Sequence, residues 1–164
     1  MTEPTPVTGV GGADAYARLA ELGLTLPQVA PPLAVYVPAV QSGNYVYVSG
    51  QLPLVGGELA LAGKVGAEVT AEQAAEMART CALNALAAID ALVGLGRIVK
   101  IVKITGFVAS AEGFVGQATV INGASELFGS VLGELGRHAR SAVGVAELPL
   151  GAPVEVEVIA EIGA

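Results

Sequence analysis

Apolar and polar positions along this chain repeat with a short period at both ends and with a long one in between. Ala34 to Val40 and Tyr45 to Ser49 are strand-like apolar runs on either side of Gln41-Ser42-Gly43-Asn44. A turn holding Gly and Asn between such runs predicts a β-hairpin. Residues 52 to 69 read as a further irregular hairpin or loop turning at Gly56-Gly57. From Thr70 the period lengthens. Thr70-Ala71-Glu72-Gln73 has the form of a capping box, and Ala74, Ala78, Cys81, Ala85, Ile89 and Leu92 then recur on one helical face, ending near Gly94 or Gly96. Ile98 to Val108 is apolar on both faces, as a central strand is. A second helix over about Phe114 to Leu135 puts Val120, Ile121, Ala124, Leu127, Phe128, Val131, Leu132 and Leu135 on one stripe. The chain closes with strands Ala139 to Glu147 and Pro153 to Glu161, read as a second hairpin; Val154, Val156, Val158 and Ala160 share one face of the last.

Upstream of these elements, Asp14 is placed to cap a short helix through Leu22 with Gly23 as its stop, and a proline-rich connector follows from Leu24 to Pro32. The reading is one domain over 14–164 behind a flexible segment, 1–13. Its fold class is α+β: one mixed sheet with both long helices on one face. The other sheet face needs cover, which a second copy of the chain can supply.

Composition narrows the function classes. Hydrophobic residues make up 53% of the chain and charged ones 14%, enough apolar material for a core and a subunit interface besides. With a net charge of −7 and 8 Lys and Arg in all, no basic patch can form to neutralise a phosphate backbone, so nucleic acid is not the expected partner. Residues 22–57 carry no charged side chain, yet Pro27, Pro31, Pro32, Pro38 and Pro53 interrupt them well short of a membrane span. The opening MTEPTPVTGV lacks the form of a secretory signal, and cytoplasmic placement is expected. One cysteine excludes an internal disulfide, and one His with one Cys offers no metal-ligand cluster.

Among candidate reactive groups, Arg140 stands out because its strand face is shared with Ala142, Gly144 and Ala146, which leave room around it. Two readings follow from the spacing. A guanidinium facing a recess matches a carboxylate's two oxygens, and a structural ion pair with Glu155 or Glu157 on the adjacent strand is the commoner use of such a residue. His138 reads as a solvated loop residue, and Cys81, among alanines, as inert. Ser49 has no His at a recognisable spacing, so a Ser-His-Asp hydrolase is not indicated.

Gly43-Asn44-Tyr45-Val46-Tyr47-Val48-Ser49-Gly50-Gln51-Leu52-Pro53 resembles an early segment of the RidA/YjgF (reactive-intermediate deaminase) family. Arg140-Ser141-Ala142-Val143-Gly144-Val145-Ala146-Glu147-Leu148-Pro149, with residues 154–160, resembles that family's closing signature, and residues 98–108 its central strand. The resemblance, spanning about 36–160, implies a chorismate-mutase-like fold assembled as a homotrimer with ligand clefts between subunits. It implies hydrolytic deamination of 2-enamine and 2-imine intermediates to 2-keto acids, the 2-iminobutanoate/2-iminopropanoate deaminase type, with no cofactor and no metal. Carried over by position, Arg140 binds the substrate carboxylate, Glu155 is the acid near the attacking water, and Tyr36, Ser49, Gly50, Asn122, Ser141 and Ala142 line the cleft. Ala142 stands where the family typically has cysteine, and Pro38 where it often has glutamine. The N-terminal extension and residues 54–69 also depart from its pattern. The alternative is a non-catalytic member that binds a small carboxylate or another protein. A ribonuclease reading ranks below both, because the chain is acidic and has no usable His base.

Overall fold

The computed structural model describes residues 12–29 and 35–164. After a 3-10 turn at Gly12–Asp14, the elements are α1 (Ala15–Glu21), β1 (Ala39–Ser42), β2 (Tyr45–Gln51), β3 (Leu54–Val55), β4 (Glu58–Leu59), α2 (Ala71–Val93), β5 (Ile98–Ala109), α3 (Gln117–Leu132), β6 (Ala139–Val145) and β7 (Val154–Ile162). Residues 1–11 of the expected flexible segment, the end of the proline-rich connector and Ala34 lie outside the described residues. The expected first strand shrinks to its C-terminal end. Its hairpin turn is Gly43-Asn44, with Gly43 at φ 58° as the first central residue, a conformation only glycine takes without strain.

Local chemistry explains most element boundaries. Thr70 and Gln73 form the capping box in full, each side chain bonded to the other's backbone N–H, so α2 starts where the sequence predicts. It stops at Gly94, φ 83°. The buried stripe of α2 ends at Ile89, and Leu92 in the last turn is exposed. α3 is shorter than predicted at both ends: Phe114 lies in the preceding loop, and Gly133 turns the chain into a 3-10 segment. Asp14 precedes α1 but makes no capping bond, since its own backbone is already helical. Instead the Tyr16 hydroxyl fastens α1 by donating to Asp90 and accepting from the Leu95 N–H.

The main sheet has the order β1-β2-β7-β5-β6, with β5 and β6 parallel and every other pair antiparallel. This corrects the expected closing hairpin. β6 does not pair with β7, because α3 carries the chain back over the sheet and sets β6 in parallel along the outer edge of β5, as a β-α-β crossover does. The loop after β6, with a 3-10 turn at Pro149–Gly151, then lets β7 insert between β2 and β5. The mixed sheet with helices over one face is as expected. Ala39, Val48, Val158 and Ile104 align across four strands and are buried on that face under α2 and α3.

Small residues let the layers approach closely. A Cβ on Gly123 of α3 would strike the Ala75 carbonyl of α2, and one on Gly106 of β5 would strike Ile121. This is how a chain with 4% aromatic residues closes its core. On the opposite face Val40, Tyr45, Tyr47 and Val143 are exposed. No helix among the described residues is long and apolar enough to cross a membrane.

Gly123 and Gly129 on the same helix make a controlled pair, since a Cβ on Gly129 meets nothing within 4 Å. Gly123→Ala is expected to lower stability by about 1–3 kcal/mol through backbone overpacking. Gly129→Ala is expected to raise it by up to about 1 kcal/mol through helix propensity. Thermal melts of the two variants check this; equal shifts in one direction would contradict the packing account.

Candidate functional site

Arg140 extends the buried apolar row by one strand. It pairs with Ile104 and therefore points to the helix-covered face, at the sheet edge where α3 overhangs it. Asn122 and Ser125 stand one turn apart on that helix and meet it: Arg140 Nη1 donates to Asn122 Oδ1 at 2.8 Å and to Ser125 Oγ at 3.2 Å. The expected structural ion pair with Glu155 or Glu157 is absent, because β5 separates β6 from β7 and the glutamates face the other way. Among the described residues the ion pairs are Lys64–Glu147 and Arg137–Glu134, so Arg140 carries its charge without an anionic partner.

His138, expected in solvent, is half-buried and bonded through both ring nitrogens. Nε2 lies 2.9 Å from Ser125 Oγ and Nδ1 lies 2.6 Å from the Gly136 carbonyl oxygen. Neither Ser125 nor this role of His138 was legible from motif spacing. The available signal was a serine three residues after Asn122, on the flank of the apolar stripe of α3.

A second group forms on the uncovered sheet face. The β2–β7 register shifts between Val48 and Gln51, and Ser49 and Gly50 occupy this irregularity. Ser49 Oγ donates to the Val37 carbonyl at 2.7 Å and so ties down the segment carrying the exposed Tyr36. A Cβ on Gly50 would collide with the Glu155 carboxyl group; glycine here lets that carboxylate lie against the backbone. Partial burial, with the repulsion of nearby Glu157 added, pushes the Glu155 carboxyl above the usual glutamate value.

The structure thus joins Arg140 to Asn122, and Ser49 to Gly50 and Glu155, but not one set to the other. Arg140 is level with Ile104, whereas Glu155 is level with Phe107 and two strands away. Strand geometry makes that roughly 10 Å along and roughly 10 Å across, on opposite faces. Ser141 also faces away from Arg140, accepting from Lys103 Nζ at 3.1 Å, and Ala142 packs against the core. A recess of about 150 Å³ on the uncovered face, lined by Tyr47, Lys103, Thr105 and Glu157 among others, holds none of the expected site residues. No group of three or more His, Cys, Asp and Glu suited to a metal occurs among the described residues. Cys81 is fully buried, and burial pushes its thiol well up, away from the reactive thiolate.

A family model described as endoribonuclease L-PSP matches residues 27–162. The chain belongs to that family, the RidA/YjgF proteins. Protein TCP17 of Trypanosoma cruzi is 47% identical over 150 residues, 89% of this chain and 92% of that protein. A crystal structure of an Agrobacterium tumefaciens protein of unknown function superimposes with a TM-score of 0.86 at 50% identity, covering 93% of this chain and 94% of the other. TdcF of E. coli, solved with bound serine, gives a TM-score of 0.62 at 27% identity over 84% of this chain and 96% of its own. The mixed sheet and its helices are those of RidA/YjgF structures, and the segments quoted above for Ser49, Gly50, Arg140 and Glu155 all fall within the matched residues.

Glu155→Gln tests the electrostatics of the second group. A carboxyl raised in the folded state binds its proton more tightly there than in the unfolded chain, so stability falls as pH rises from the ordinary value of 4.5 through the raised one. The variant is expected to melt higher than the parent at pH 7–8, with the gap closing near pH 4. A gap independent of pH would contradict this assignment.

Proposed function

We propose that this RidA/YjgF protein hydrolyses small 2-imino acids, and their enamine tautomers, to 2-keto acids and ammonia at sites shared between protomers of a homotrimer. The observation that carries the reading is Arg140: a half-buried guanidinium at a sheet edge, held by neutral partners and with no anionic partner among the described residues. A cation so placed is suited to a substrate carboxylate. Two further features support a shared site. The candidate residues fall into groups too far apart to touch one small molecule within a protomer, and the face bearing Glu155 is uncovered and displays Tyr45, Tyr47 and Val143.

In this reading Arg140 of one protomer fixes the carboxylate, and Glu155 of the next lies beside the imine carbon with Tyr36, Ser49 and Gly50. Asn122 holds Arg140 in place, while Ser141 and Ala142 serve as cleft wall and backbone. Water adds to the imine carbon as the C=N pair moves to nitrogen, which takes up a proton. The C–N bond of the resulting carbinolamine then breaks to release ammonia as the keto C=O forms. The raised proton affinity of Glu155 suits it to accept the water proton and deliver one to the departing nitrogen. These steps ask for no thiol at position 142.

Carboxylate binding without turnover is the second reading, favoured by TdcF having been solved with serine, a carboxylate that is not an imine. RNA cleavage, which the family's description names, fits this chain poorly. It has a net charge of −7, and its single His is engaged through both nitrogens.

Added to a pyridoxal-phosphate dehydratase that releases 2-iminopropanoate, the protein is expected to speed pyruvate formation. Arg140→Ala should remove the acceleration and Arg140→Lys most of it, because an ammonium lacks the paired donors. No acceleration with several amino-acid precursors, alongside carboxylate binding that needs Arg140, would favour the second reading.

A further inference from the structure

Arg140 has five N–H donors. The two on Nη1 are taken by Asn122 Oδ1 and Ser125 Oγ, which leaves Nε and Nη2 as the parallel pair able to meet both oxygens of a carboxylate side-on. What fixes Nη1 depends on where the Ser125 hydroxyl points its hydrogen, and His138 decides that.

The Gly136 carbonyl can only accept, so His138 Nδ1, 2.6 Å from it, carries the ring hydrogen. In the neutral imidazole Nε2 is then an acceptor, and Ser125 Oγ–H, 2.9 Å away, donates to it. With its hydrogen committed, the Ser125 oxygen turns a lone pair to Arg140. Donation therefore runs one way, from Arg140 to Ser125 to His138 to the Gly136 carbonyl. Phe128, fully buried, holds the imidazole edge-on with ring centroids 6.2 Å apart at 74°. Without the Nε2 acceptor the Ser125 hydrogen is free to swing toward the guanidinium, where its dipole repels Nη1.

We propose that Ser125 and His138 are positioning residues for Arg140. His138 Nε2 orients the Ser125 hydroxyl, which with Asn122 pins Nη1 and reserves the Nε/Nη2 edge for the carboxylate of the ligand. This rests on the carboxylate-clamp reading and adds to it the edge used and the device that presents it.

Two substitutions separate the halves of the imidazole. His138→Gln brings an amide oxygen near Nε2, which can accept from Ser125, but gives up the bond to Gly136. His138→Asn keeps a donor for Gly136 and lacks the acceptor. Calorimetric titration of the full chain with pyruvate, with the melting temperature of each variant measured alongside, is the test. Ser125→Ala and His138→Asn should weaken binding about 10-fold, the loss of one charge-assisted hydrogen bond, and His138→Gln should stay within about 2-fold of the parent. Equal losses in the Gln and Asn variants, or losses that follow the melting temperature, would assign the pair to packing and overturn the proposal. Parent-like affinity in Ser125→Ala while Arg140→Ala abolishes binding would overturn it and leave the clamp standing. Parent-like affinity in Arg140→Ala, or no pyruvate binding by the parent, would remove the clamp and this proposal together.

Discussion

The parallel pairing of β6 with β5 determines where Arg140 and its polar partners lie. α3 is the crossover that makes this pairing, and it also supplies the residues that meet Arg140, so one backbone arrangement fixes both strand and partners. Had β6 paired with β7, a structural contact between Arg140 and a glutamate of that strand would have been available. With β5 between them, Arg140 is left under α3, where its hydrogen-bond partners among the described residues are neutral. A half-buried charge without a counter-ion is costly, and that cost is the physical basis of the proposed carboxylate clamp.

Packing density keeps this arrangement rigid. Ala-rich α2 and Gly123 of α3 let the helices touch backbone to backbone, and Gly106 admits Ile121 between helix and sheet. The same closeness holds α3, and with it Asn122 and Ser125, at a fixed height above β6. On the other face the glycine at position 50 and the irregular pairing of β2 do the corresponding work for Glu155. Each half of the site is thus set by a close backbone approach that a larger residue would prevent.

Local signals made much of this legible in the sequence. The Thr70–Gln73 capping box, the alternation of β7 and the stripe of α3 each depend on residues a few positions apart, and each appears in the structure. The place of β6 does not follow from such signals, because strands adjacent in sequence need not pair and the crossover through α3 sets β6 beside β5 rather than β7. Arg140 stands out in the sequence as a cation among small residues, yet its partners lie 18 and 15 residues away on a helix whose facing depends on the sheet order. The burial of His138 is hidden from the sequence for the same reason: its partner Ser125 is 13 residues away, on a helix that local spacing does not place beside it.

The separation of Arg140 from Glu155 within one protomer makes a shared site the central claim, and complementation between inactive subunits tests it most directly. Arg140→Ala and Glu155→Ala proteins, each inactive alone, would be mixed under conditions that exchange subunits and assayed for imine hydrolysis. A site built from Arg140 of one protomer and Glu155 of the next is whole in about a quarter of randomly mixed interfaces, so activity should return to roughly that fraction of the parent. No recovery, with subunit exchange demonstrated by a mass tag, would contradict the account.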